Sequence, residues 1–123
     1  MRAETMELET TTDTGLRRDR RGPAEKLRAA LSDLAGGKAE ITAHKQQPWA
    51  SITFSGARHA LDLLFEGEEA MRAAEHFIAA LPDHEFTVPG QLVADATIGS
   101  VDHTLLPIPR MIIRAELLLL EDG

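Results

Sequence analysis

An α+β fold, a two-layer sandwich with two helices on one face of a largely antiparallel five-stranded sheet, is what this sequence predicts. Helical spacing of apolar residues occurs in only two segments, around Leu27–Leu34 and Ala70–Leu81. Period-two alternation fills the stretches between and after them. The closing run from Met111 to Leu120 is apolar on both of its faces. With only two helices to cover the sheet, such a strand leaves apolar side chains on the far side.

From Met1 to about Gly22 the chain is Thr-rich and charged, and Met6, Leu8 and Leu16 are too scattered to define a face. Residues 1–22 therefore read as a disordered or flexible N-terminal tail, poorly ordered up to about residue 20, and 23–123 as a single α+β domain. Pro23 suits the first position of a helix, because its missing N–H would have no partner there. Leu27, Leu31 and Leu34 form the buried stripe of that helix, and Gly36-Gly37 supplies the left-handed backbone that ends it.

Three short strands follow. Ala39, Ile41 and Ala43 alternate with Glu40, Thr42 and His44 in the first, and Ala50, Ile52 and Phe54 with Trp49, Ser51, Thr53 and Ser55 in the second. Gln46-Gln47-Pro48 would connect them. Ser55-Gly56 then reads as a tight turn into a third strand, with His59, Leu61, Leu63 and Phe65 on one face and Ala60, Asp62 and Leu64 on the other.

Glu66-Gly67 breaks this strand, and Glu68-Glu69 place negative charge in the first turn of a second helix, where its dipole favours it. Ala70, Met71, Ala74, Phe77, Ile78 and Leu81 form the apolar face, and Pro82-Asp83 stops the helix. A long strand from about Gln91 to His103 turns through Leu105–Pro109 into the final strand. The order is helix, three strands, helix, two strands.

On the last strand Met111, Ile113, Ala115, Leu117 and Leu119 face the helices, which leaves Ile112, Leu118 and Leu120 on the opposite side with Arg110, Arg114 and Glu116. Leaving three such side chains in water forgoes roughly 1.5 to 3 kcal/mol each relative to burial. A second copy packed sheet against sheet would cover them, since most soluble oligomers are symmetric homo-oligomers. The competing solutions are a C-terminal hairpin that curls over itself and an N-terminal tail that folds back over the sheet.

Charge and composition exclude several function classes. The net charge is -7, unevenly spread: residues 1–28 hold seven Lys or Arg against six Asp or Glu, a net of +1, and the rest hold six against fourteen, a net of -8. An acidic body is a poor surface for nucleic acid, whose binding rests on Lys and Arg displacing phosphate counterions. Only Arg17-Arg18-Asp19-Arg20-Arg21 is basic, and a solvated arm explains it. Cysteine is absent, which removes disulfides, thiolate nucleophiles and Cys-ligated metal sites together. No apolar run approaches the roughly eighteen residues a membrane span needs, and the N-terminus lacks a signal-peptide pattern. The expected address is the cytoplasm, with no cofactor, no nucleic acid and no membrane as partners.

Chemistry-bearing patterns are sparse. His59, Asp95 and His103 each lie on a strand and would form an acid–base or metal site if their strands were neighbours. No spacing places two ligands on one element, so no metal site is assigned. Period-two parity puts Asp95 and His103 on one face, yet eight residues of extended strand span about 26 Å, which excludes a direct dyad. Asp95 sits among Val93, Ala94, Ala96 and Ile98, and a buried carboxylate there would have its proton affinity raised. With the hairpin centred near Pro107, Asp102 is the nearer partner for Arg110 or Arg114. Asp102-His103 and Asp83-His84-Glu85 read as polar residues at turns. Arg58-His59 is a basic pair at a strand start that can grip a carboxylate or phosphate, with an ion pair to Asp62 or a nearby acid the favoured reading, and Trp49 reads as half-buried packing ahead of a contact residue. Neither a Gly-x-Ser-x-Gly elbow nor a Gly-rich phosphate loop occurs.

The order helix, three strands, helix from Pro23 to Leu81 resembles the topology of the double-stranded RNA-binding domain. That family opens its second helix with lysines that contact phosphate, whereas this chain has Gly67-Glu68-Glu69-Ala70-Met71-Arg72. The sign is inverted, so neither that function nor the family is assigned. The residues favour a small homo-oligomeric binding or assembly module without its own catalytic site, self-associating through Ile112, Leu118 and Leu120, with no ligand class singled out. The alternative is a cofactor-free acid–base enzyme with a pocket using Asp95 or His59.

Overall fold

The computed structural model describes residues 22–122. The tail predicted for residues 1–22 lies outside them except for Gly22. Helix α1 (Pro23–Leu34) starts at its proline, and Gly36 and Gly37 follow it with φ of 67° and 72°. Strands β1 (Ala39–Ala50) and β2 (Ser55–Glu66), helix α2 (Glu68–Ala80), a 3₁₀ turn (Leu81–Asp83), and strands β3 (Gln91–Thr104) and β4 (Arg110–Glu121) complete the order. The fold is α+β, with an antiparallel sheet ordered β1-β2-β4-β3.

The sheet has four strands, not five, because the first two predicted strands are one. Gln46-Gln47-Pro48, the expected connection, lies inside β1, where Pro48 pairs with Ala57. Since β1 is an edge strand, a residue without an N–H can sit there and leave no central ladder bond unmade. The turn moves to Ser51–Phe54. Ser51 N–H donates to the Phe54 carbonyl at 2.7 Å, and its Oγ accepts from the N–H groups of Thr53 and Phe54 at 3.3 and 3.1 Å. Ile52, expected in a strand, is fully exposed at the turn. With two strands between the helices, the topological likeness to the RNA-binding domain also falls.

Gly56 is a strand residue, paired with Leu120, rather than part of the turn. A Cβ at that position would press on the Leu119 carbonyl and lie 2.8 Å from Leu120 Cα. Only glycine permits that backbone approach.

One core lies between the helices and the inner sheet face. Leu27 and Leu31 of α1, Ala70, Ala74 and Phe77 of α2, Leu61, Leu63 and Phe65 of β2, and the odd-numbered residues Met111 to Leu119 of β4 are buried in it. The Phe65 and Phe77 rings tilt against each other at 5.9 Å and join α2 to β2. Central strands β2 and β4 carry this load because each has a ladder partner on both sides.

The far face departs from expectation. Parity holds, but Leu118 and Leu120 are only 8% and 6% exposed in the single chain, while Ile112 is 38% exposed. Two of the three side chains invoked for a second copy are therefore already kept from water. The large exposed apolar residues gather elsewhere, with Leu105, Leu106 and Ile108 at the β3–β4 hairpin tip near Ile112. Neither described α-helix is long and apolar enough to cross a membrane.

Candidate binding cleft on the outer sheet face

Three β-bulges decide which side chains meet, and each adds one residue that reverses the inside–outside alternation beyond it. In β1 the register slips at Thr42, between Ile41↔Leu63 and Ala43↔Asp62. Ala39 and Ile41 face the helices before it; afterwards His44, opposite Leu61, and Gln46, opposite His59, take the inner side. Lys45 and Gln47 are turned outward. In β3 the slips fall at Ala94 and Gly99. The first turns Asp95 outward, opposite Leu118, and the second returns Val101 and His103 to the inner side, opposite Ile113 and Met111.

His44 thereby meets His59 beneath the helices. Arg28 Nη1 donates to His44 Nδ1 at 2.8 Å, and His44 Nε2 lies 2.9 Å from His59 Nδ1. A guanidinium only donates, so His44 Nδ1 accepts, its Nε2 carries the hydrogen, and His59 Nδ1 accepts in turn. Both rings are then neutral. Burial, followed by the neighbouring His59 and Arg28, pushes His44 down to about 4, and burial lowers His59 as well. At 3% exposure His59 is closed to a substrate, so this chain of bonds ties α1 to the β1–β2 hairpin rather than doing chemistry in solution.

The outer face holds an open cleft of about 540 Å³. Its lining comes from two ladder rows, Gln47-Arg58-Leu118-Asp95 and Lys45-Ala60-Glu116-Thr97, of which every residue but the buried Leu118 borders the cleft. Arg58, Lys45, Asp95 and Glu116 are all exposed. Among the described residues none of the four has an ion-pair partner, although the same face pairs Arg114 with Asp62 at 2.8 Å and Arg110 with Glu66 at 3.0 Å. The Arg114 guanidinium holds the Asp62 carboxyl below its usual range, chiefly through that hydrogen bond. Gly99 makes room for Glu116, whose Oε2 would lie 2.6 Å from a Cβ there.

The structure does not bring the predicted constellation together. His59 is opposite Leu117 on the inner side and Asp95 is opposite Leu118 on the outer side, so the sheet separates them. Asp95 is exposed, not buried among its apolar neighbours, and does not share a face with His103 as simple alternation predicted. Arg114 reaches across to Asp62 on β2 instead of Asp102 on β3. Asp102 and His103 point to opposite faces, opposite Ile112 and Met111. His84 stands edge-on to Phe86 at 4.6 Å. Trp49 is half-buried opposite Gly56. Among the described residues no group of three or more His, Asp or Glu is placed to hold a metal ion.

Sequence reasoning passed over Arg28, His44, Lys45, Gln47, Thr97 and Glu116. A hairpin centred on Ser51–Phe54 would have brought His44 and His59 near one another, but the bulges that set their faces leave no sign in residue type except at Gly99. Comparison with protein-family models, curated proteins and solved structures finds no match.

Proposed function

We propose that this chain is a cytoplasmic binding or assembly module without a catalytic site of its own, and that the outer-face cleft is where it binds. The charges of Lys45, Arg58, Asp95 and Glu116, none of them in a salt bridge among the described residues, carry this reading, because they surround a concavity on a face whose neighbouring charges are paired. Lys45 and Glu116 act on Asp62 and Arg114 only at a distance. A cleft of about 540 Å³ falls within the range of roughly 300 to 1,000 Å³ typical of small-molecule sites. The acid–base alternative gains nothing from a His59 and an Asp95 on opposite sides of the sheet.

The test is an amide-resonance screen of a charged and polar fragment set against the labelled protein. Shifts concentrated at residues 45–47, 58–60, 95–97 and 116–117, and lost in Arg58→Gln, are the expected result. A set that leaves those resonances unmoved at millimolar concentration overturns the cleft as a binding site.

Association with a second copy belongs to the same reading, and its support is the apolar hairpin tip. Leu105 and Leu106 are 66% and 79% exposed, and Ile108 and Ile112 lie beside them. Edge-to-edge pairing of sheets is opposed by Pro48 and a bulge on β1 and by two bulges on β3. The tip and Ile112 are accordingly the proposed contact.

A further inference from the structure

We infer that the outer-face cleft takes a small zwitterion, an ammonium–carboxylate molecule of about one or two amino-acid residues; this rests on the cleft being a binding site. Charge is divided unevenly across the sheet. Both cations, Lys45 and Arg58, stand on β1 and β2, and both carboxylates, Glu116 and Asp95, stand on β4 and β3. One wall is positive and the other negative.

On the β2–β4 ladder, charges of opposite sign elsewhere on this face sit directly opposite one another, as Asp62↔Arg114 and Glu66↔Arg110 do, and they bond. At the cleft the ladder does something else. Arg58 faces Leu118 and Glu116 faces Ala60, so each charge has an apolar residue across from it. Arg58 and Asp95, like Lys45 and Glu116, are separated by one intervening strand, about 10 Å between backbones at the usual strand spacing, while Arg58 and Glu116 stand diagonally on adjacent strands without a salt bridge. Ala60 lines the floor between Lys45 and Glu116, whereas Leu118, between Arg58 and Asp95, is buried.

The bulges supply an independent support. Without the slip at Thr42, Lys45 and Gln47 would face the helices, and without the slip at Ala94 so would Asp95. Bulges are over-represented on edge strands, as β1 and β3 are, and beside sites, where they re-aim a side chain. The missing side chain of Gly99 leaves room for the Glu116 carboxylate in its present rotamer. Two departures from regular sheet thus turn Lys45 and Asp95 toward one cleft, where Glu116 already faces by the regular alternation of β4.

A ligand with a carboxylate and an ammonium satisfies both walls at once. A purely anionic ligand would meet Asp95 and Glu116 unpaired, and a purely cationic one would meet Arg58 and Lys45. Gln47 and Thr97, at the two outer ends of the rows, offer neutral hydrogen bonds to the backbone or side chain of such a molecule.

The experiment titrates the labelled full-length chain with glycyl-alanine, N-acetyl-glycyl-alanine and glycyl-alaninamide, reading amide shifts at the cleft. The zwitterion is expected to bind, and loss of either charge to weaken binding about tenfold or more, the usual worth of a hydrogen bond to a charged group. Arg58→Gln should abolish the preference for the free carboxylate, and Asp95→Asn the preference for the free amine. Both positions are exposed, and the thermal melt of each variant confirms folding. Equal binding of all three probes, or binding of a blocked form alone, overturns the zwitterion while leaving the cleft as a site. Absence of shifts with any of the three overturns the zwitterion, and the broader fragment screen then decides the cleft separately.

Discussion

His44 and His59, fifteen residues apart, share a hydrogen bond of 2.9 Å that exists only because Thr42 is an extra residue in β1. Their hydrogen pattern requires both rings to be neutral, with Arg28 as the donor at the outer end.

Stability should therefore fall on mild acidification. The unfolded chain takes up protons at an ordinary histidine value of 6.5, whereas folded His44 does so only at about 4 and His59 is lowered too. Between those values the unfolded state holds more protons, so the contribution is complete above pH 6.5 and is lost as pH falls toward 4. Discounted for the partial exposure of His44, its loss is on the order of 1–2 kcal/mol, or about 5–10 °C in Tm. Calorimetry from pH 7 to 4 should give a shallower decline for His44→Gln than for the parent chain, and identical slopes would refute this linkage.

Gly56→Ala should be among the more damaging small substitutions. Its Cβ meets β4 backbone, which cannot move aside as a flexible side chain would. A loss of about 1–3 kcal/mol is expected from such overpacking, read as a lower Tm by circular dichroism. An unchanged melt would contradict the close pairing of β2 with β4.

Asp62 and Leu63 are neighbours in sequence on opposite sides of β2, and their variants should differ sharply. Asp62→Asn breaks a partly exposed ion pair and should cost about 1 kcal/mol. Leu63→Ala opens a fully buried position and should cost about 2–5 kcal/mol. Urea denaturation compares them, and equal losses would reverse the assignment of faces.

Association through the hairpin tip predicts a concentration-dependent mass in light scattering. Leu106→Glu should shift the protein to the monomer with little change in thermal stability, because that side chain is exposed in the single chain. A parent chain that stays monomeric at high micromolar concentration would remove the proposal.

Both helices were legible because amphipathic spacing, Pro23 and Gly36-Gly37 are local signals that act within a few residues. The inner faces of β2 and β4 were legible for the same kind of reason, since uninterrupted alternation at Leu61-Leu63-Phe65 and Met111–Leu119 maps directly onto burial. Reading stopped at Pro48. As a strand breaker in most settings it suggested a connection, and only the edge position of β1 makes it acceptable inside a strand.

By itself the sequence determined the α+β class, the two helices with their ends, the core-facing rows of the central strands, and an acidic body with no thiol chemistry. Tertiary structure alone decided the number of strands, the meeting of Arg28, His44 and His59, the separation of His59 from Asp95, and the cleft on the outer face. The reason is the bulge. One additional residue exchanges inside for outside along everything beyond it, and whether a strand bulges depends on what it pairs with across the sheet, which no local pattern records.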